Sequence, residues 1–290
     1  MAGKWNPDAQ GREKRMRIVH EGFTELGIPA LKRCMESSSP WVFLDEIGYL
    51  ETDCPAYCDM IHALLDQKQV LAAVRKEEHP FLTGILGRED VFSIDLDEPF
   101  GSTGCVIMAS GLGKRFGGNK LMADFGGRPL IAGVLEATQF IPHRVVVTRH
   151  ADVAEYCKGQ GIPVILHDLP YRSDTVHLGL EALRGTSCCM FCSGDQPLLK
   201  RDTVHALALC GIQDESRILR TCAEGEPGAP ILFPAKYYPE LLALPVGKGG
   251  SYLARKYPQQ VGHIPVEDKK ELMDVDTPED LNDLLRASRI

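Results

Sequence analysis

The chain has no apolar run approaching the ~20 residues that a membrane-spanning helix needs. Its first residues are polar and contain no apolar signal core. The expectation is a cytoplasmic protein with no membrane partner. Positive charge is in deficit: 32 lysines and arginines face 40 aspartates and glutamates, a net charge of −8. That balance argues against nucleic acid as a partner, since general nucleic-acid binders are usually basic. It leaves room for a site that needs only local cations. Internal repeats and low-complexity tracts are also absent. Cysteine, by contrast, is plentiful: ten are scattered over 290 residues, several inside apolar strand patterns. Such a distribution points to reduced thiols in a reducing compartment. Cys189 and Cys192 have C-x-x-C spacing, but residues three apart on a strand diverge. No second Cys or His pair stands nearby at zinc spacing.

The most informative segment is 104–122, GCVIMASGLGKRFGGNKLM. An apolar strand, Cys105–Ala109, runs into a basic turn studded with Gly111, Gly113, Gly117 and Gly118. Glycines let the backbone bend tightly and approach a ligand closely. Successive N–H groups in such a bend can point at one anion. Arg115 and Lys120 supply positive charge, one as a planar fork and one as a point charge. The plainer alternative is a strand followed by a flexible basic loop. The segment is not a Walker A loop, because Arg115 follows Lys114 where Ser or Thr is required. It also lacks the G-x-G-x-x-G dinucleotide spacing.

Apolar periodicity divides the chain near the acidic, turn-rich stretch 95–104. We expect a smaller domain over 1–100 and a larger one over 101–290. In the first, residues 1–16 show no periodicity and read as frayed. Two short helices are expected in 17–36, interrupted at Gly27-Ile28-Pro29. A strand at 41–44, a helix at 55–67, a strand at 70–74, a helix or turn at 79–86 and a third strand at 91–94 follow. Beyond 104, strands are expected at 105–109, 144–148, 163–166, 188–193, 217–222 and 261–265. Helices are expected at 128–140, 151–159, 174–184, 201–210, 235–243, 248–256 and 277–287. This rhythm predicts an α/β fold, a Rossmann-like and mostly parallel sheet covered by helices. Ligands of such sheets sit at the carboxyl ends of the strands. The loop 110–119 and the loop after strand 188–193 should therefore share a rim.

That second loop reads Ser193-Gly194-Asp195-Gln196-Pro197. A buried strand delivers the Asp195 carboxylate through a tight glycine turn. Magnesium takes oxygen ligands, usually one or two carboxylates with phosphate oxygens and water. Asp195 suits that task; its alternative role is a cap for the helix near 201, to which Asp202 is closer. Further on, Thr277, Pro278 and the acids after them are explained by helix-start chemistry. Asp274 and Asp276 precede that cap. At alternating positions of an extended segment they face one side. They are either partners of Asp195 in a metal site or plain solvated acids. Between these segments, Tyr171–Leu180 opens an amphipathic helix whose N-terminal donors suit an anion or a base edge.

The set 107–120, Gly126-Gly-Arg-Pro-Leu130, 193–197 and 274–280 resembles the GT-A-like nucleotidyltransferases. Within them it looks most like the molybdenum cofactor cytidylyltransferases and the related MobA-like enzymes. The resemblance covers about 104–287, with four motifs in the family's order. It implies that Ala109, Ser110, Gly111, Gly113 and Gly117, with Arg115 and Lys120, hold a nucleoside triphosphate. It implies that Asp195 binds Mg²⁺ with help from Asp274 or Asp276, and that Arg172 and Thr175 face the base. Segments 228–234 and 248–250 resemble those near the acceptor pocket. The implied reaction transfers CMP from CTP to molybdopterin, and a molybdenum hydroxylase is an implied recipient. The family usually has Ala at the position of Ser110 and Ser at that of Gly113. Base choice is thus open between CTP and GTP. A sugar- or alcohol-phosphate transferase and a non-catalytic molybdenum cofactor carrier are the other readings.

Residues 41–48, WVFLDEIG, have the form of a Walker B strand, an apolar run ending in adjacent acids. With Gly27–Leu31 before and Glu51 after, residues 20–97 resemble the C-terminal part of the small P-loop nucleoside-triphosphatases first described in thermophiles. The resemblance implies that Asp45 touches magnesium and Glu46 activates water. No G-x-x-x-x-G-K-[ST] occurs anywhere in the chain, so the phosphate cradle is missing. The expectation is an incomplete, inactive P-loop domain. The alternative is a small α/β accessory domain with a coincidental Asp-Glu.

Overall fold

A computed structural model describes residues 3–5 and 16–287. The chain falls into two compact units, Met1–Ser93 and Ile94–Ile290. No helix among the described residues is long and apolar enough to cross a membrane.

The larger unit is built on a seven-stranded sheet. Before it, in the smaller unit, come β1 (Gly3–Trp5), β2 (Met16–Ile18), β3 (Trp41–Ile47) and β4 (Gln69–Val74). The large sheet comprises β5 (Thr103–Ala109), β6 (His143–Thr148), β7 (Val164–Leu166), β8 (Cys188–Ser193), β9 (Ile218–Ala223), β10 (Glu226–Pro234) and β11 (Val261–Pro265). Its order is β11-β9-β10-β8-β5-β6-β7. Only β10 runs against the rest, pairing antiparallel with both β8 and β9. The sequence did not lead us to expect β10, because Pro227, Gly228 and Pro230 break a strand pattern. They fall at an irregularity in the register, between Pro227 and Ile231.

The central strands are buried on both faces, so they read as unbroken apolar runs. Cys105, Ile107 and Ala109 join one core cluster, and Val106 joins the other. Cys192 and Cys189 likewise lie in different clusters, as strand alternation requires. Helices cover both faces. On the first lie α6 (Ala132–Ala137), α7 (Ala151–Gly159), α9 (Arg201–Gln213) and α12 (Pro278–Ala287). On the second lie α8 (Arg172–Ala182), α10 (Tyr238–Leu242) and α11 (Gly250–Lys256). Helix α6 is much shorter than the expected 128–140, because Asp124 and Pro129 form an isolated bridge ahead of it.

The chain steps from β5 to β6 to β7 and then returns to place β8 on the other side of β5. Such a reversal opens a crevice at the carboxyl ends of the strands. The loops after β5 and β8 flank it, joined by a hydrogen bond from the Gly194 N–H to the Met108 carbonyl, 3.0 Å.

In the smaller unit, α1 (His20–Gly22), one π turn (Phe23–Gly27) and α2 (Ile28–Glu36) follow without a break. The expected interruption at Gly27 is absorbed by the wide turn, and Pro29 sits at the start of α2, where no N–H is needed. Helices α3 (Tyr49–Thr52), α4 (Pro55–Leu65) and α5 (Pro80–Leu86) complete it. Strands β3 and β4 pair in parallel, and their buried face packs on Leu31, Ile61, Leu64 and Leu82. The expected strand at 91–94 does not form. An alternating pattern makes a strand only where an edge is offered to it. Nor do residues 3–5 and 16 belong to a frayed end: β1 pairs with β2. The rest of that expectation, residues 1–2 and 6–15, lies outside the described residues.

Candidate active site

Strand β5 ends in Ala109, 1% exposed, whose carbonyl accepts from Thr148 Oγ1 at 2.9 Å. The glycine-rich loop starts there. Its turn is closed by the Gly113 carbonyl, which accepts from the N–H groups of Phe116 and Gly117 at 3.0 Å. Gly113 has φ +58°, and a Cβ on it would lie 2.0 Å from the Gly118 carbonyl oxygen. Only glycine fits that position. Among the described residues, the N–H groups from Ser110 to Arg115 make no hydrogen bond. A row of free donors beside two cations is what an anion-binding loop needs.

Three segments distant in sequence bring their charges together at this loop. Lys120, only 7% exposed, places its ammonium 2.5 Å from Asp195 Oδ2 and 3.1 Å from Asp276 Oδ1. Arg115 pairs with Asp276 Oδ2 at 2.8 Å. Burial pulls the Lys120 pKa down, but the hydrogen bonds and charges of Asp195 and Asp276 outweigh it and hold the ammonium above its ordinary value.

The segment carrying Asp274 and Asp276 is clamped beside Asp195. The Val275 N–H donates to the Asp195 carbonyl at 2.9 Å, and Val275 is fully buried. Gln196 donates to the Leu272 carbonyl at 2.9 Å, and buried Glu271 accepts from the Lys200 N–H at 3.1 Å. Val275 turns inward and Asp276 beyond it reaches Lys120, while Asp274 before it lies within the field of Lys120, Asp195 and Asp276. Asp274 makes no hydrogen bond or ion pair among the described residues. Its pKa is pushed up to about 6, first by loss of solvent and then by the neighbouring charges of Asp195 and Asp276. Asp274 is nonetheless exposed to solvent as a residue, so the desolvation of its carboxyl is partial.

The field of Arg172 reaches Asp274 and lowers its pKa, opposing those effects. Arg172 also lies across Gly249, where a Cβ would meet its Nε at 2.9 Å. Its neighbour Ser173 accepts from the Gly247 N–H at 3.2 Å, so the start of α8 and the loop 247–249 are one surface. Thr175, one turn further into α8, is 2% exposed and takes no part in the ion-pair network.

The structure thus gathers Arg115, Lys120, Asp195, Asp274 and Asp276, with Arg172 in electrostatic reach. Ser110, Gly111, Gly113 and Gly117, with φ +84°, form the loop beside them. Sequence reasoning missed the clamps Gln196 and Glu271 and two histidines against the loop, His150 and His167. Their partners are too far away in sequence to leave a local signal. Among the described residues, no three His, Cys, Asp or Glu side chains form a ready-made metal cage. Magnesium does not require one, since it is commonly held by one or two carboxylates with phosphate oxygens and water. The hard oxygen donors of Asp195 and of Asp274, which has no close counter-ion, fit that chemistry.

Residues 105–261 match the model of the MobA-like NTP transferase domain. The chain belongs to that family. By family and fold it is a nucleotidyltransferase. Among solved structures, Rv0371c from Mycobacterium tuberculosis H37Rv is 21% identical, with a TM-score of 0.56 over 63% of this chain and 97% of that one. Molybdopterin-guanine dinucleotide biosynthesis protein A from Archaeoglobus fulgidus is 23% identical, with a TM-score of 0.51 over 64% and 99%. Residues 6–99 match the NTPase family model. The nucleoside-triphosphatase THEP1 of Thermotoga sp. strain RQ2 is 29% identical over 75 residues, 26% of this chain and 42% of that protein. The chain spans less than half the length of the curated relatives it matches.

Proposed function

We propose that this chain is a magnesium-dependent cytidylyltransferase that transfers CMP from CTP to molybdopterin, giving molybdopterin cytosine dinucleotide and pyrophosphate. The observation that carries the reading is the loop itself: free N–H groups from Ser110 to Arg115, with Lys120, Arg115 and Asp195 converging beside them. A name supports the choice of acceptor, that of the Archaeoglobus protein of the same fold.

The chain's part in the reaction is positioning and charge neutralisation. The loop N–H groups hold the triphosphate. Lys120 and Arg115 exchange their present partners, Asp195 and Asp276, for phosphate oxygens. The carboxylates of Asp195 and of Asp274 or Asp276 are thereby freed to hold magnesium. Magnesium, when bound, neutralises charge on the phosphates. A terminal phosphate oxygen of molybdopterin attacks the α-phosphorus in line. The bond from that phosphorus to the α–β bridging oxygen breaks, and pyrophosphate leaves with the electron pair. In this reading Arg172 faces the base and the loop 248–250 faces the acceptor, while Thr175, 2% exposed, supports the start of α8 from within. The product suits hand-over to a molybdenum hydroxylase in the cytoplasm.

The second reading is a GTP-using enzyme of the same fold. It rests on Ser110, which departs from the alanine usual in the family at a position that bears on base choice there. Pyrophosphate release from CTP and from GTP, with and without molybdopterin, separates the two. Release that requires both CTP and molybdopterin is the expected result. Release with GTP supports the second reading. Slow release of inorganic phosphate without acceptor overturns both.

A further inference from the structure

Two histidines brace the glycine-rich loop from outside. His150 Nε2 lies 2.8 Å from the Gly111 carbonyl oxygen. A carbonyl only accepts, so this ring carries its proton on Nε2. His167 Nε2 lies 2.8 Å from Ser110 Oγ, whose other contact is the Val147 carbonyl at 3.1 Å. That carbonyl takes the single serine proton, so His167 donates to Ser110 through Nε2 as well. Loss of solvent and the charge of Arg149 lower the His167 pKa, against the opposing charges of Asp174 and Asp168. A third tie closes the far end of the loop: Asn119 Nδ2 donates to both oxygens of Asp152, at 2.8 and 2.9 Å.

These ties fix the orientation of two groups in the loop that carries the free N–H row. In a trans peptide the C=O and the next N–H point in opposite directions. Fixing the Gly111 carbonyl on His150 therefore aims the Leu112 N–H away from His150. Serine hydroxyls also tend to capture backbone N–H groups a few residues on. With both its contacts taken by Val147 and His167, Ser110 leaves the Leu112 and Gly113 N–H groups unclaimed. Neither of those N–H groups has a partner among the described residues.

We propose that His150 and His167 are positioning residues of the nucleotide site: they hold the Gly111 carbonyl and the Ser110 hydroxyl so that the loop's N–H row stays free for a triphosphate. This rests on the nucleotidyltransferase reading above. The braces bond to the loop and so act through it. Their loss should raise KM and the Kd for polyphosphate, with little change in kcat.

The test is calorimetric titration of the full chain with inorganic tripolyphosphate and with CTP, in wild type, His150→Leu, His167→Leu, His150→Gln and His167→Gln. Thermal unfolding is followed for each. We expect each leucine variant to bind tripolyphosphate about tenfold more weakly, the size of one lost hydrogen bond. The glutamine variants, which keep a side-chain N–H donor, should recover most of it. Leucine variants that fold and bind within about twofold of wild type overturn the proposal and leave the nucleotidyltransferase reading standing. A wild-type chain that binds neither ligand overturns both. Should His167→Leu lose its cooperative transition, the half-buried His150 carries the test alone.

Discussion

Lys120 is the residue on which the charges of the site converge. It is nearly buried and touches two carboxylates that, among the described residues, have no other cation as close, apart from Arg115 on Asp276. Lys120→Ala should leave Asp195 and Asp276 repelling each other in a poorly solvated place. Breaking a buried pair is costly, but Asp276 opens to solvent, so the loss should be about 1–3 kcal/mol. Turnover should fall on the order of 10²–10³-fold, as when one preorganised donor is removed. Urea midpoints and pyrophosphate release measure the two effects separately. Asp274 gives a prediction in pH. Its folded pKa is about 6, against an ordinary value of 3.8. Between those values the folded protein holds a proton that the unfolded chain has lost. Stability therefore falls as pH rises through that window. Asp274→Asn should remove this slope and be more stable than wild type at pH 7, with little difference at pH 4. Parallel urea titrations at several pH values check it; equal curves for the two proteins would count against the pKa.

At the scale of elements, the site depends on the packing beneath it. Gly133 in α6 lies against the loop that carries Asp195. A Cβ there would stand 2.1 Å from the Pro197 carbonyl oxygen and 2.8 Å from its carbon. Backbone cannot rotate aside as a side chain can, so Gly133→Ala must move the loop. Overpacking of this kind costs about 1–3 kcal/mol, and turnover should fall with it. Gly159, at the end of α7, has nothing within 4 Å of its Cβ position. Gly159→Ala is the control that should leave turnover unchanged. The same elements show what the sequence could and could not reveal. Strands β5 and β8 and their loops were legible because both strands are buried on both faces and end in glycine turns. Asp274 and Asp276 were legible as acids on either side of a buried apolar residue, Val275. Strand β10 was not, because its prolines are tolerated only at an irregularity that the neighbouring strands create. The unformed strand at 91–94 is the converse case, a local pattern without a pairing edge. His150 and His167 were invisible for a related reason: their partners lie 39 and 57 residues away.

The whole molecule joins two units of unequal chemical equipment. The larger unit has a core on each face of its sheet and a site with both signs of charge. The smaller has a core on one face of a two-stranded sheet, and Trp41, Phe43 and Leu71 are 53%, 71% and 60% exposed on the other. Its adjacent acids, Asp45 and Glu46, lie near the end of β3 and are exposed. Glu46 is already paired with Arg75. A carboxylate pair of this kind hydrolyses a nucleotide only where backbone donors hold the phosphates beside it. The row of free N–H groups belongs instead to the loop 110–115 of the other unit. Consumption of nucleoside triphosphate should therefore follow the larger unit's residues alone. Asp45→Asn combined with Glu46→Gln should leave pyrophosphate release at the wild-type rate, while Asp195→Asn abolishes it. Both products need to be measured. A fall in inorganic phosphate release in the double variant, with pyrophosphate release unchanged, would show a second catalytic centre in the smaller unit and contradict the assignment of chemistry to one site.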